Sequence, residues 1–205
     1  MRPEEIEKRS FAIIEEEAGN HRFSVQQWPI VRRIIHTTAD FEYLQTIRFH
    51  PDAVSAGIKA IRSGQTVVTD TNMARVGIRS RDLQPYGAIV RCFMDDPRIH
   101  QVARQQNTTR AAAAVDAAVE SIETGIYVIG NAPTALLRLI ERIEKGEARP
   151  ALVIGFPVGF VNAAESKAAL AELDIPHITN SGRKGGSNVA ASVVNALILS
   201  AGGQS

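Results

Sequence analysis

Two groups of residues in this sequence have types and spacings suited to chemistry: one histidine and three glycine-bearing loops. There are five histidines, His21, His36, His50, His100 and His177, and no two stand at i, i+4. Without a carboxylate–histidine cluster, no metal held by protein ligands is expected. His36 differs from the others. It closes an apolar run (Ile30, Val31, Ile34, Ile35) and precedes a polar turn, Thr37-Thr38-Ala39-Asp40. A histidine with apolar neighbours and a nearby carboxylate can be poised around neutral pH as a general acid or base. The same pattern also suits a helix C-terminal histidine satisfied by backbone carbonyls.

The three loops are GNAPT (130–134), GFPVGFVN (155–162) and NSGRKGGSN (180–188). Each combines glycine with Asn, Ser or Thr between an apolar run and a helical pattern. Glycine lets backbone approach a ligand, and the following helix start offers unpaired N–H groups to an anion. Turns between strands and helices need glycine in any case. Asn131 and Ser187 lie in these loops, and Arg183 and Lys184 make the third the strongest anion candidate. Arg110 opens the helical stretch TTRAAAA, where a cation opposes the helix dipole unless an anion binds both it and the exposed amides. No G-x-x-x-x-G-K-[ST], G-x-G-x-x-G or G-x-S-x-G is present. A P-loop, a dinucleotide fingerprint and a hydrolase elbow are therefore unsupported. A large ligand with several carboxylates fits these loops better than a nucleotide. Cys92 sits in an apolar strand pattern, which favours a buried, inert thiol.

The elements that position these residues read as an α/β fold. Helices are expected over 3–18, up to about residue 36 (starting at Ser24 or with Pro29 in the first turn) and over 52–63. Ser10 falls near the apolar face of the first. Strands are expected at QTVVTD and AIVRCFM. From about Arg98 the pattern turns regular, with the short apolar runs GIYVIG, ALVIGFPV and IPHITN alternating with helices of about three turns. That alternation marks parallel β-α-β units, and runs apolar without a two-residue period mark strands covered on both faces. The expectation is a single domain over residues 1–205: a three-layer α/β/α, Rossmann-like fold with a mostly parallel sheet. Ligands of such sheets bind outside the carboxyl ends of the strands, where all three loops would sit.

Composition narrows the function classes. A chain of 205 residues would bury about 70% of its unfolded surface, enough for one sizeable core. Lys+Arg at 23 against Asp+Glu at 22 gives a net charge of +1 and no basic field for nucleic acid. The single cysteine excludes a disulfide framework, and no run of about 18 apolar residues suggests a membrane span. The N-terminal MRPEEIEKRS lacks a signal-peptide pattern, so a cytoplasmic location is expected.

Six segments, KRSFAII, RRIIHTTADFE, TDTNMARVGI, GNAPTALL, GFPVGFVNAAESK and GRKGGSNVAASVVNAL, resemble the precorrin-8X methylmutase (cobalt-precorrin-8 methylmutase) family of cobalamin biosynthesis. The resemblance runs from about Lys8 to Leu197. It implies an isomerase that moves a methyl group on ring C of a tetrapyrrole, a corrin precursor, to the adjacent carbon, giving hydrogenobyrinate or its cobalt form, cobyrinate. The reaction is an intramolecular 1,5-sigmatropic shift, so it needs no cofactor and consumes no S-adenosylmethionine. The family's catalytic histidine falls on His36, as a general acid that protonates the ring C region. Its substrate-binding residues fall on Ser10 and Arg33, the latter at i, i+3 from His36 and so on one helix face. Arg110, Asn131, Arg183 and Ser187 join them from loop chemistry, as partners for a substrate rich in acetate and propionate groups. Ala111 stands where the family often has serine after the arginine. The resemblance further implies a homodimer, with no nucleic acid or membrane partner. A non-catalytic corrinoid- or sugar-phosphate-binding module would use the same loops without an acid at position 36. A methyltransferase is disfavoured, since the early strands lack a glycine-rich cofactor loop.

Overall fold

A computed structural model of the protein describes residues 2–203. Six strands form one sheet: β1 (Ile47–Phe49), β2 (Thr66–Thr69), β3 (Val90–Cys92), β4 (Gly125–Ile129), β5 (Leu152–Gly155) and β6 (His177–Asn180). Their order is β1-β6-β5-β4-β2-β3, and every neighbouring pair is parallel except the antiparallel pair β1–β6. Five of these strands are those anticipated from the apolar runs. The sixth, β1, is only three residues long and carries an exposed Arg48, so its sequence has no strand signal. Its register on β6 (Ile47 beside Asn180, Phe49 beside Ile178) comes from tertiary packing.

The helices, in chain order, are α1 (Pro3–Ala18), α2 (Trp28–Thr38), α3 (Tyr43–Thr46), α4 (Ala53–Arg62), α5 (Asn72–Gly77), α6 (Ser80–Leu83), α7 (Pro97–Gln105), α8 (Arg110–Ser121), α9 (Pro133–Glu144), α10 (Ala163–Ala171) and α11 (Ser187–Ala201). Strand alternation sorts them into two layers. Ile126 and Val128 of β4 join the core under α1, α2, α4 and α11, while Tyr127 and Ile129 join the core under α7, α8, α9 and α10. All residues of β4, β5 and β6 are buried; the unbroken apolar pattern of β4 and β5 requires it, whereas β6 buries His177, Thr179 and Asn180 with hydrogen-bond partners. Helix α2 has Pro29 in its first turn. Ser24 instead closes a preceding turn, its hydroxyl accepting from the Gln27 amide at 3.2 Å while the Gln27 side chain accepts from the Ser24 amide at 3.1 Å. Asp96 caps α7 by accepting from the Arg98 amide at 2.9 Å. Cys92 ends β3 half-buried, and burial pushes its thiol pKa up, away from nucleophilic use.

Because β2, β4, β5 and β6 are parallel, the chain leaves all four at one edge of the sheet. The loops after β4, β5 and β6 therefore share that edge with Asp70 and Thr71, which follow β2.

Candidate active site

Helix α2 carries the histidine. Its sequence, WPIVRRIIHTT, buries Trp28, Ile30, Val31, Ile34 and Ile35, which leaves Arg32, Arg33 and His36 on the side facing α1 and solvent. The helix stops at Ala39, a left-handed residue with φ 52° whose amide donates to the Ile35 carbonyl at 2.7 Å. Thr37 and Thr38 hydroxyls donate to the Arg33 and Ile34 carbonyls, each at 2.8 Å. The carbonyls of Arg33, Ile34 and Ile35 thus take these bonds without the imidazole. His36 is exposed and makes no hydrogen bond with any described residue. A capping histidine would itself bond one of the terminal carbonyls, and the His36 imidazole bonds none of them.

An open groove of about 380 Å³ runs between the two helices. Ser10, Ile13, Ile14 and Glu17 of α1 form one wall, and Ile35, His36, Ala39 and Phe41 the other. Phe11 meets His36 edge-on, with ring centroids 5.2 Å apart at 70°. The same ring lies under two guanidinium groups, Arg32 at 4.4 Å and Arg33 at 5.3 Å from its centroid. Arg33 is paired with Glu7 at 3.1 Å, and Arg32 with Glu15 at 3.3 Å. Trp28 donates its indole N–H to Glu15 at 2.9 Å, which locks α1 onto α2. Ser10, Arg33 and His36 are therefore gathered by one helix pair, with an apolar floor between polar ends.

The loop edge is organised differently. Asp70, 5% exposed, accepts from the amides of Gly130, Asn131 and Ala132 at 2.9, 2.8 and 2.9 Å. Burial pushes its carboxyl pKa up while these amide bonds pull it down. The anion position at the start of α9 is thus filled by the protein's own carboxylate, and only the exposed side chain of Asn131 remains for a ligand. Ser187, the first residue of α11, is buried and shares a hydrogen bond of 2.8 Å with Thr71. Gly130 fits beside it because a Cβ there would come within 2.6 Å of the Ser187 Cα. Lys184 is bound to Asp40 at 2.6 Å and Glu42 at 2.8 Å, which lowers the Asp40 pKa. Arg183 is exposed, its guanidinium 5.4 Å from the ring of Phe160.

Arg110 stands at the start of α8, where Thr109 caps the helix by accepting from the Ala112 amide at 3.1 Å. Its Nη1 lies 3.2 Å from the His100 Nε2, in a hollow that Arg104, Asn107 and Thr108 also line. A bond between the Thr109 and Thr134 hydroxyls at 3.0 Å ties the starts of α8 and α9 together. Arg110 and Asn131 therefore project from the same edge as Arg183. None of these three, nor Ser187, lines the groove of Ser10 and His36.

Residue types and spacing did not reveal Asp70, Lys167, Glu7 or the pairing of Lys184. Asp70 is a charged residue directly after an apolar strand, and Lys167 is the only cation in the alanine-rich helix α10. Those oddities are the signals that could have found them.

A family model described as precorrin-8X methylmutase matches residues 5–200. A cobalt-precorrin-8 methylmutase of Priestia megaterium is 50% identical over 199 residues, covering 97% of this chain and 88% of its own. One from Salmonella typhimurium is 45% identical over 204 residues, with 97% and 95% covered. The solved structure of a precorrin-8X methylmutase from Thermus thermophilus superposes with a TM-score of 0.90 at 48% identity, covering 98% of this chain and 97% of that one. The chain belongs to the precorrin-8X methylmutase family and is an isomerase of cobalamin biosynthesis.

Proposed function

We propose that this chain moves a methyl group on ring C of precorrin-8X, or of its cobalt form, to the neighbouring ring carbon, with His36 as the general acid. One observation carries the reading. The imidazole of His36 is exposed in an open groove that Ser10 also lines, and it is bonded to no described residue. Protonation of the conjugated system near ring C makes it electron-poor, which lowers the barrier for the carbon–methyl bond to break at one carbon as it forms at the next. An isomerisation nets no proton, so the acid must recover its own after the shift. Histidine suits both halves, because its proton exchanges readily around neutral pH.

Ser10 and Arg33 hold the substrate beside the imidazole. Arg33 now faces Glu7 at 3.1 Å, and a ring carboxylate would compete for the same fork. Arg110, Asn131 and Arg183 supply further partners for peripheral carboxylates, with Ser187 shaping the start of α11. Groove and loop edge share no lining residue, so we place the working site between two copies of the chain, the loop edge of one facing the groove of the other. Phe160 and Val161 in that edge are 83% and 77% exposed, which suits contact with an apolar macrocycle.

The test is a visible-spectrum time course with precorrin-8X and, in parallel, cobalt-precorrin-8. Wild-type protein should convert at least one to the corrin chromophore, and the faster substrate identifies the natural one. A spectral shift on binding without conversion would replace the isomerase with a binding module. For the shared site, His36→Ala and the charge-reversed Arg183→Asp are unfolded and refolded together, then assayed at a substrate concentration where each alone is silent. Random pairing puts one intact site in half of the dimers, so about a quarter of wild-type activity should return. Failure to regain activity would leave each site within one subunit.

A further inference from the structure

Lys167 is the largest charged side chain among the described fully buried residues, at 1% exposure, and no carboxylate pairs with it among the described residues. A buried ammonium without a counter-ion is costly, and burial pulls its pKa down to about 8. Its partners are neutral acceptors. The Nζ donates to the Asn180 Oδ1 at 3.2 Å and to the Lys184 carbonyl. Asn180, also 1% exposed, donates its amide to the Ser181 carbonyl at 3.1 Å and to the Lys184 carbonyl at 3.0 Å. Two buried side chains thus converge on one turn, residues 181–184.

That turn ties the loop edge to the end of α2 within one chain, so it sets how each chain presents its part to the two working sites of the dimer. On one side, the Arg183 carbonyl accepts from the Gly159 amide at 3.2 Å, and the Gly186 amide donates to the Phe156 carbonyl at 2.9 Å. Gly185 lies against the Phe156 carbonyl so closely that a Cβ would not fit. On the other side, the Lys184 side chain leaves the turn and binds Asp40 and Glu42, just past the end of α2. The Asp40 amide in turn donates to the Thr38 hydroxyl at 3.3 Å, two residues from His36.

We infer that Lys167 is a positioning residue: its buried ammonium fixes the turn 181–184 and, through the ion pairs of Lys184, sets the end of α2 relative to the loop edge. The inference rests on reading Arg183 as a substrate contact and His36 as the acid. A methionine would fill much the same space without the desolvation cost, so what the ammonium adds is its hydrogen bonds to the loop.

Arg183 and Lys184 are exposed trypsin sites within the very turn that Lys167 holds, so loop order can be read without any substrate. Lys167→Met and Lys167→Gln are compared with wild type. A cleft of about 570 Å³ beside Lys167 leaves room for either side chain. Cleavage after Arg183 or Lys184 should speed up about tenfold in Lys167→Met. Lys167→Gln keeps one donor for the Lys184 carbonyl and should recover part of the protection. Cleavage elsewhere should not change. In turnover, KM should rise several-fold with kcat within about threefold, since the imidazole itself is intact. A general folding defect would instead speed up every cleavage and lower kcat at constant KM, which overturns the inference. Unchanged cleavage at the turn in both variants would overturn it too. Faster cleavage with unchanged KM would keep Lys167 as the loop's anchor and remove the loop from substrate binding.

Discussion

In the α1–α2 groove, the groups that matter face outward on regular helices, and the imidazole of His36 has no hydrogen-bond partner among the described residues. Along the loop edge, the most inviting groups are already engaged. The amides at the start of α9 hold Asp70, Ser187 shares its hydroxyl with Thr71, and Lys184 is bound to Asp40 and Glu42. What is left for a ligand there is the outward side chains of Asn131, Arg183 and Arg110. The contrast separates two tasks that a glycine-rich loop and a histidine both advertise in sequence. Internally satisfied loops make a rigid frame, and chemistry is left to groups whose own bonds have been made by neighbours. Changes in the groove should therefore alter turnover without stability, and changes at Asp70 should alter stability without chemistry.

The largest effect expected is on His36→Ala. Positioned proton transfer contributes about 10²–10⁴ in rate, so turnover should fall by about 10³. Product affinity should stay within a few-fold, and the unfolding midpoint should hardly move, because the side chain is exposed and touches Phe11 only edge-on. Loss of folding stability in this variant would mean that the imidazole is structural after all. Next comes Asp70→Asn, isosteric and buried. The carboxylate accepts from three amides, whereas the amide side chain offers one oxygen and turns an NH₂ group toward donors. Leaving buried N–H groups unpaired costs about 1–3 kcal/mol each, and the helix N-terminus loses its negative charge as well. Urea unfolding should show a loss of about 2–4 kcal/mol, with kcat of the remaining folded protein nearly unchanged. A loss under about 0.5 kcal/mol would show that the frame does not depend on this carboxylate.

How much of this was legible in the sequence follows the same division. The covered strands β4 and β5 announced themselves, since they are apolar without a break, and Pro133 marked the start of α9 beside GNAPT. The groove residues were legible too, because α1 and α2 are long and periodic enough to place Ser10 near one apolar face and His36 at the end of another. What escaped depends on contacts between distant segments. Nothing near GNAPT says that its amides will be filled by a residue 60 positions earlier. Strand β1 escaped because three residues cannot show a period, and α3, α5 and α6 are too short to show one either. The spacing of Lys184 suggested a free cation, and only the chain path after α2 gives it Asp40 and Glu42. Cys92 was legible, because its strand context already argued against a reactive thiol.

The smallest expected effect tests whether the outward side chains of the edge act as ligand contacts at all. Arg110 is exposed, at the positive end of α8, beside His100 at 3.2 Å and in a hollow that Arg104 also lines. No carboxylate lines that hollow, and the arginine's partner there is the His100 Nε2, which accepts from the guanidinium. Arg110→Ala should leave stability unchanged or raise it by a few tenths of a kcal/mol, since a cation there opposes the helix dipole. Its effect belongs to binding. An exposed ion pair is worth about 0.2–1 kcal/mol, so product should bind about 1.4- to fivefold more weakly at low salt. Screening shortens from about 10 Å at 0.1 M to about 3 Å at 1 M, so the difference between variant and wild type should shrink as salt rises. A titration of product at both salt levels reads this directly. A deficit that stays constant with salt would mean that Arg110 acts by packing, and a deficit absent at every salt level would confine recognition to the groove and the Arg183 loop.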